Sequence, residues 1–175
     1  MKRTRKPLIL THDPSTTAWG WAVMYGDAIV ACGCIKTEPK AKALRIRKGD
    51  DRCRRANEIS EELKRIIEQY GVSYMISEQP HGSQNAQAAV MMGMCLGILQ
   101  NISVFGNIGL EWYSEGDSKM SLLRKRSAAK GETIAAIDKL YTVEWTGKKY
   151  IDEAVADAIS VHYCAKKESP FMKSF

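Results

Sequence analysis

The sequence lacks several features that would assign it quickly to a class of protein. Its five cysteines are odd in number and form no paired CxxC units, so neither a disulfide framework nor a structural zinc site is expected. The longest apolar run, residues 88–99, has 12 residues, whereas a membrane-spanning helix needs roughly 20. No secretory signal pattern follows the first basic residues. We therefore expect a protein of the cytoplasm or another reducing compartment, with no membrane partner.

Positive charge is concentrated in three segments of the chain. Lys and Arg number 26 against 20 Asp and Glu, a formal net charge of +6. Residues 2–6 form a basic N-terminal arm with four cations, residues 36–55 hold nine against three acids, and residues 119–130 hold five with no acid. Basic strips on an otherwise acidic body are typical of a surface that follows a polyanion, although solvated loops give the same pattern.

Hydrophobic periodicity predicts alternating strands and helices. Alternating or short apolar runs predict strands over residues 7–11, 17–25, 28–35, 72–77 and 105–113. Helical spacing predicts helices over residues 52–70, 83–101, 121–125, 132–141 and 152–167. Ser83 is expected to cap the second helix, and residues 36–50 are expected to form a loop. A three-strand meander followed by alternating helices and strands predicts a mixed sheet with helices on its faces.

The second predicted strand has one face of large side chains and one of small side chains. Trp19, Trp21 and Val23 alternate with Gly20 and Ala22. Because glycine and alanine allow close approach, we expect the small face to lie beneath a helix.

Four acidic residues, far apart in the chain, are expected to meet at one end of the sheet. Asp13 and Glu78 follow buried strands, while Glu153 and Asp157 are four residues apart and share a face of the last helix. Asp152 competes with Glu153 for the fourth position. Each acid alone is explained by a turn or a solvated face, but the ordered set matches the oxygen ligands that Mg²⁺ prefers.

Four segments carrying these residues resemble RuvC-type Holliday-junction resolvases, within the RNase H-like nuclease superfamily. The segments read LILTHDPSTTAWGWAVM, CGCIKT, YMISEQPHGSQNAQAAVMMG and YIDEAVADAISVHYCA. Their order is that of the family, and the resemblance covers residues 7–165. It implies a single α/β domain with an RNase H-like mixed five-stranded sheet: a three-strand antiparallel meander plus two parallel strands, flanked by helices. Residues 168–175 are expected to form a C-terminal tail.

The resemblance also implies a chemistry. Asp13 would bridge two Mg²⁺ ions, Glu78 would hold one, and Asp157 with Glu153 (or Asp152) would hold the other. Mn²⁺ is expected to substitute. The expected activity is paired nicking of four-way DNA junctions by a homodimer formed through helix 83–101, leaving 5′-phosphate and 3′-hydroxyl ends.

The same resemblance assigns the basic segments to DNA. Lys119 or Lys130 is expected to assist near the scissile phosphate. His81, preceded by Pro80, stands where many relatives have an aromatic residue that acts at the junction centre. The expected DNA-contacting residues are Arg45, Arg47, Lys48, Arg52, Arg54, Arg55, His81, Lys119, Arg124, Lys125, Arg126 and Lys130.

Other functions remain possible from the sequence. An RNase H-like nuclease that cuts flaps, forks or RNA-containing hybrids fits the same acids, and so does a junction-binding protein without catalysis. A sugar-kinase or actin-like fold shares the first-strand aspartate, but those chains are much longer and the sequence has no glycine-rich phosphate loop.

Overall fold

The computed structural model describes residues 7–129 and 131–174. Five strands and six helices make up the described fold. The strands are β1 (Leu8–Asp13), β2 (Ala18–Tyr25), β3 (Ala28–Lys36), β4 (Tyr74–Gln79) and β5 (Gly109–Ser114). The helices are α1 (Ala41–Leu44), α2 (Lys48–Tyr70), α3 (Ala86–Gly106), α4 (Glu115–Leu123), α5 (Glu132–Asp138) and α6 (Lys149–Glu168). A short 3₁₀ turn, Met172–Ser174, follows.

The sheet has the predicted mixed topology. Its strand order is β3-β2-β1-β4-β5. The first three strands pair antiparallel, while β1, β4 and β5 pair in parallel. The carboxyl ends of β1, β4 and β5 therefore lie at the same edge of the sheet.

Two hydrophobic cores cover the two faces of the sheet. On one face α2 and α3 pack against residues that include Leu10, Trp19 and Val23. On the other face α5 and α6 pack against residues that include Ile9 and Ala22. The alternation along β1 and β2 decides which side chains meet which helices.

Gly20 sets the distance between β2 and α6. A Cβ on Gly20 would lie 1.9 Å from the Ala154 carbonyl oxygen. The prediction that the small face of β2 lies beneath a helix is thus confirmed, and that helix carries two of the four candidate acids.

We expect Gly20→Ala to destabilise the fold strongly. The new methyl group meets backbone rather than a flexible side chain, so α6 has to shift, at a cost of about 3 kcal/mol or more. Urea unfolding measures this cost. The matched control is Gly49→Ala, because a Cβ there has nothing within 4 Å; equal stability of the two variants would contradict the close packing.

Several predicted boundaries were wrong. The expected loop 36–50 contains α1 and the start of α2. Asn85, not Ser83, caps α3, because its side chain accepts hydrogen bonds from the N–H groups of Gln87 and Ala88. Helix α3 continues through Phe105, which was assigned to β5. The helix expected at 121–125 is α4 and begins at Glu115, where Ser114 accepts a hydrogen bond from the Asp117 N–H.

The segment after α6 packs against the sheet. The Phe171 ring stacks on Tyr74, with ring centroids 3.6 Å apart. Glu111 of β5 accepts hydrogen bonds from the hydroxyls of Tyr74, Tyr113 and Ser169, each at 2.8 Å. This carboxylate ties the segment after α6 to β4 and β5.

Candidate active site

The strand register brings Asp13 and Glu78 together. His12 of β1 pairs with Ser77 of β4, so the next residue of each strand lies side by side at the carboxyl end of the sheet. Alternation places both carboxyl groups on the face covered by α6. The structure therefore unites two acids that are far apart in the sequence.

Helix α6 adds Asp157 and Glu153 from above that face. Burial and the neighbouring Lys119 are the main influences on the Asp157 carboxyl, and the net effect raises its pKa to about 6. The Thr133 side chain of α5 hydrogen-bonds to this carboxyl. Glu153 Oε1 is buried and has no hydrogen-bond partner among the described residues. A buried carboxylate oxygen without a hydrogen-bond partner, whose charge acts on Asp157, is an arrangement that a bound cation would satisfy.

Burial and the charges of neighbouring acids raise the pKa values of the two strand carboxyls. Burial first, and the charge of Asp157 second, raise the pKa of Asp13 to about 8. Burial and the charge of Asp13 raise the pKa of Glu78 to about 9. Buried carboxyl groups whose charges act on one another mark a site built to receive positive charge.

Asp152 does not join this group. Its Oδ1 accepts hydrogen bonds from the Thr146 N–H at 2.9 Å and the Thr146 hydroxyl at 2.8 Å. The side chain is buried and holds the loop that enters α6. The structure thus favours Glu153 over Asp152 as the fourth acid.

Glu115 is an acid of the site that sequence reasoning missed. It is the first residue of α4, directly after β5, and its charge raises the pKa of both Asp13 and Glu78. It forms an ion pair with Lys119, one turn further along α4. His81 Nε2 lies 3.4 Å from its second carboxylate oxygen. The capping pattern Ser114-x-x-Asp117 was the available signal, because it starts a helix at the carboxyl end of β5.

A small polar cavity lies between α4, α5 and α6. Its volume is about 210 Å³, and its charged or hydroxyl-bearing lining residues are Glu115, Lys119, Thr133, Glu153 and Asp157. Lys119 is the cation of this lining, and its charge acts on Asp157 and Glu78. Lys130, the other candidate for a lysine near the reacting phosphate, lies outside the described residues.

His12 is next to Asp13 but faces the opposite core. The Trp19 Nε1–H donates to its Nδ1 at 3.2 Å. Full burial lowers the pKa of His12 to about 3, so the ring is neutral. Its contact with Trp19 holds the carboxyl end of β1 against the core on the α2 side, and this contact positions Asp13.

The basic residues of the α1–α2 region divide into exposed and structural ones. Arg45, Arg47 and Lys48 are exposed. The assignment of Arg55 to the DNA surface is corrected, because its buried guanidinium donates to Thr37 Oγ1, Thr16 O and Thr17 Oγ1.

Arg54 is also engaged within the protein. It forms ion pairs with Asp51 and Glu58. Arg52 is half-buried on the same helix. Of this strip, the residues before and at the start of α2 are therefore the most accessible.

The loop after α4 presents a second basic group. Arg124 and Arg126 are exposed, and Lys125 forms an ion pair with Glu132 at 2.6 Å. This loop lies on the β5 side of the acids.

Solved structures share this fold. Thermus thermophilus RuvC in complex with a Holliday junction substrate superimposes with a TM-score of 0.70 at 16% identity, covering 90% of this chain and 92% of the other. The yeast mitochondrial Holliday junction resolvase superimposes with a TM-score of 0.62 at 13% identity, covering 99% and 87%. The fold is thus that of the RuvC-type resolvases.

Sequence comparison gives the family. The profile described as "Crossover junction endodeoxyribonuclease RuvC" matches residues 9–165. A protein of that name from Methylococcus capsulatus is 26% identical over 159 residues, which is 89% of this chain and 88% of the relative. A second, from Chlorobium phaeovibrioides, is 24% identical over 90% of this chain and 79% of the relative. The chain belongs to the RuvC family.

Proposed function

We propose that this protein is a metal-dependent endodeoxyribonuclease that resolves four-way DNA junctions by paired nicks. The observation that carries the proposal is that Asp13 and Glu78 lie side by side at the carboxyl edge of the sheet, on the face covered by the helix that carries Asp157 and Glu153, in a chain of the RuvC family. We also propose that the described domain acts as one nuclease unit.

The residues fit a divalent cation of the Mg²⁺ type. All four side chains offer carboxylate oxygens, the donors that this ion prefers. Glu153 Oε1 lacks a partner in the described structure, and the raised pKa values of Asp13 and Glu78 show that their negative charge is poorly compensated. In the described residues no three His, Cys, Asp or Glu side chains are already assembled around one metal position. We propose Mg²⁺ as the native ion and Mn²⁺ as a substitute.

The protein's own groups orient the reaction. Bound divalent ions supply activated water and stabilise the leaving oxygen of a phosphodiester. Asp13, at the centre of the acids, would hold both ions, with Glu78 on one side and Asp157 with Glu153 on the other. Lys119 would donate to a non-bridging phosphate oxygen; support for this role is that its charge acts on Asp157 and Glu78.

Two basic groups would hold the DNA backbone on either side of this site. One comprises Arg45, Arg47 and Lys48, together with Arg52 and Arg54 further along α2. The other is the loop Arg124, Lys125 and Arg126. His81, exposed beside Glu115, would meet the bases at the junction centre. Such phosphate contacts position DNA and carry little sequence information.

Helix α3 is the proposed dimer surface. Over 18 of its residues the mean hydropathy is 1.7, so by length and composition the helix is apolar enough to cross a membrane. Only 11% of these residues are buried in the described structure. Only Cys95 and Leu99 are buried among its residues. Phe105 is 87% exposed. A second copy packed on this helix would cover the apolar surface and present two active sites to one junction.

We expect Gly93→Leu to shift the protein towards monomers. A Cβ at Gly93 meets nothing within 4 Å in the single chain, so the side chain is tolerated there but blocks close approach of a second helix. Light scattering after gel filtration measures the mass; a loss of about 1.4 kcal/mol raises the dimer Kd about tenfold, and paired nicking should fall in proportion to the dimer that remains. The same change at Gly49, also open, should leave the mass unchanged. A wild-type mass for Gly93→Leu would exclude this part of α3 from the interface.

A substrate panel tests the proposed activity. Labelled four-way junction, flap, duplex and RNA–DNA hybrid are incubated with the protein, with and without Mg²⁺. The expected result is Mg²⁺-dependent cutting, fastest on the junction and symmetrical about its centre. Faster cutting of flaps or hybrids would overturn the resolvase assignment, and junction binding with no cutting in any divalent ion would overturn the nuclease assignment.

A further inference from the structure

A third group of lysines stands at the edge of the active-site face, outside the surfaces described above. Lys36 ends β3, and Lys148 and Lys149 lie at the start of α6. The Lys36 ammonium lies 5.3 Å from the centroid of the Tyr150 ring. We call Lys36, Lys148, Lys149 and Tyr150 the β3 edge.

The β3 edge lies on the same face of the sheet as the acids. Asp13 pairs with Gly20, and Gly20 pairs with Cys34. Lys36 is two residues beyond Cys34 and so points to the α6 side, at about 12 Å from Asp13 given the spacing of strands and residues in a sheet. Lys149 is one helical turn before Glu153, so the two residues share a face of α6.

These lysines carry charge that the protein does not neutralise by ion pairs. Among the described residues, none of the three ammonium groups pairs with a carboxylate, although Lys166, Lys119 and Lys125 do. All three side chains are exposed. The charge of Glu38 acts on Lys36 without an ion pair, and the Tyr150 hydroxyl and ring hold the lysine in place.

The two sides of the acidic site are thus both basic. In the sheet order, β3 lies on one side of β1. On the other side lies β5, which is followed along the chain by Lys119 and Arg124–Arg126. A strand whose phosphate reaches the acids would pass from one basic group to the other. A strand running in this direction would leave the acids over the β3 edge.

We propose that the β3 edge binds the phosphates of the cut DNA strand next to the scissile one, with Tyr150 holding Lys36 in position. This inference rests on the proposed function. Lys36, Lys148 and Lys149 supply the cations, and the contact is to the sugar-phosphate backbone rather than to base edges.

Salt dependence of DNA binding tests the proposal. Junction affinity is measured against salt concentration in chelator for the wild type and for the triple variant Lys36→Ala, Lys148→Ala, Lys149→Ala. Three phosphate contacts should lower the slope of log K against log salt by about 2–3, since each contributes roughly 0.9. Tyr150→Ala removes no charge but should weaken binding several-fold at low salt, because Lys36 is released.

A second triple variant controls for net charge. Lys64→Ala, Arg65→Ala and Lys173→Ala removes the same charge near the opposite end of the sheet and should keep the wild-type slope. Equal slopes for the wild type and the β3-edge variant, or equal losses in both triple variants, would overturn the proposal. The wild type is assayed in parallel for Mg²⁺-dependent junction cutting, so absence of cutting there refutes the proposed function, whereas cutting with an unchanged slope refutes only the β3 edge. Thermal unfolding confirms that each variant is folded.

Discussion

Asp13→Asn should reduce cutting of a four-way junction by at least about a thousandfold, because several kcal/mol of charge stabilisation depend on the bound ions. Junction binding should remain, since the DNA backbone is held by the basic groups. Cutting is measured in single turnover with saturating protein, and binding is measured in chelator. A variant that cuts at the wild-type rate would show that the metal site lies elsewhere.

The same substitution should stabilise the metal-free protein at neutral and alkaline pH. The folded-state pKa of Asp13 is raised from 3.8 to about 8, so the folded state keeps a proton that the unfolded state releases. Stability conferred by this proton is present at low pH and is lost as pH rises from about 4 towards 8.

Asparagine removes that loss because it does not ionise. Asp13 keeps some exposure to solvent, which reduces the expected gain at pH 8 to about 1–3 kcal/mol. Thermal unfolding in chelator measures it, and a gain of 1 kcal/mol corresponds to about 2–4 °C in Tm. Mg²⁺ should raise the Tm of the wild type more than that of the variant, because it binds the folded wild-type site better.

Glu68→Gln is the matched control for both measurements. It also removes one carboxylate, but from the exposed end of α2, where Glu68 pairs with Lys64 at 3.7 Å. Cutting and the pH dependence of stability should stay at wild-type values. A pH profile for Asp13→Asn identical to that of the wild type would contradict the electrostatic account.

Glu153→Gln should impair cutting, whereas Asp152→Ala should impair stability. Glu153→Gln should lower cutting about a hundredfold with little change in stability, since a loss of about 2.7 kcal/mol in the transition state gives that factor. Raising the Mg²⁺ concentration should restore part of the activity, because the amide oxygen remains a weak ligand.

Asp152→Ala should instead lower stability by about 1–3 kcal/mol, the cost of leaving the Thr146 donors unpaired. Its cutting, per folded molecule, should stay within about threefold of the wild type and show the wild-type Mg²⁺ dependence. Metal titrations of cutting and urea unfolding, run on both variants, separate the two roles. A metal-dependent defect in Asp152→Ala, with none in Glu153→Gln, would exchange the assignments.

The pattern of side chains was enough to predict much of the fold. Alternation along β2 indicated that Gly20 and Ala22 lie beneath a helix, because strand geometry sends successive side chains to opposite faces. Helical spacing indicated that Glu153 and Asp157 share a face. Element boundaries were predicted less accurately: Phe105 favours a strand by residue type, but α3 continues past it and ends where Asn107 adopts the left-handed conformation.

The sequence by itself determined that Asp13 and Glu78 end buried strands and that Glu153 and Asp157 share a face of the last helix, because these features depend on local spacing alone. Only the tertiary structure decided which neighbours each acid has. Asp152 is held by Thr146, Glu115 enters the site at the end of β5, and Arg55 is buried on Thr16, Thr17 and Thr37. These outcomes depend on distances between segments that are remote in sequence, and such distances are set when α6 and α2 pack on opposite faces of the sheet.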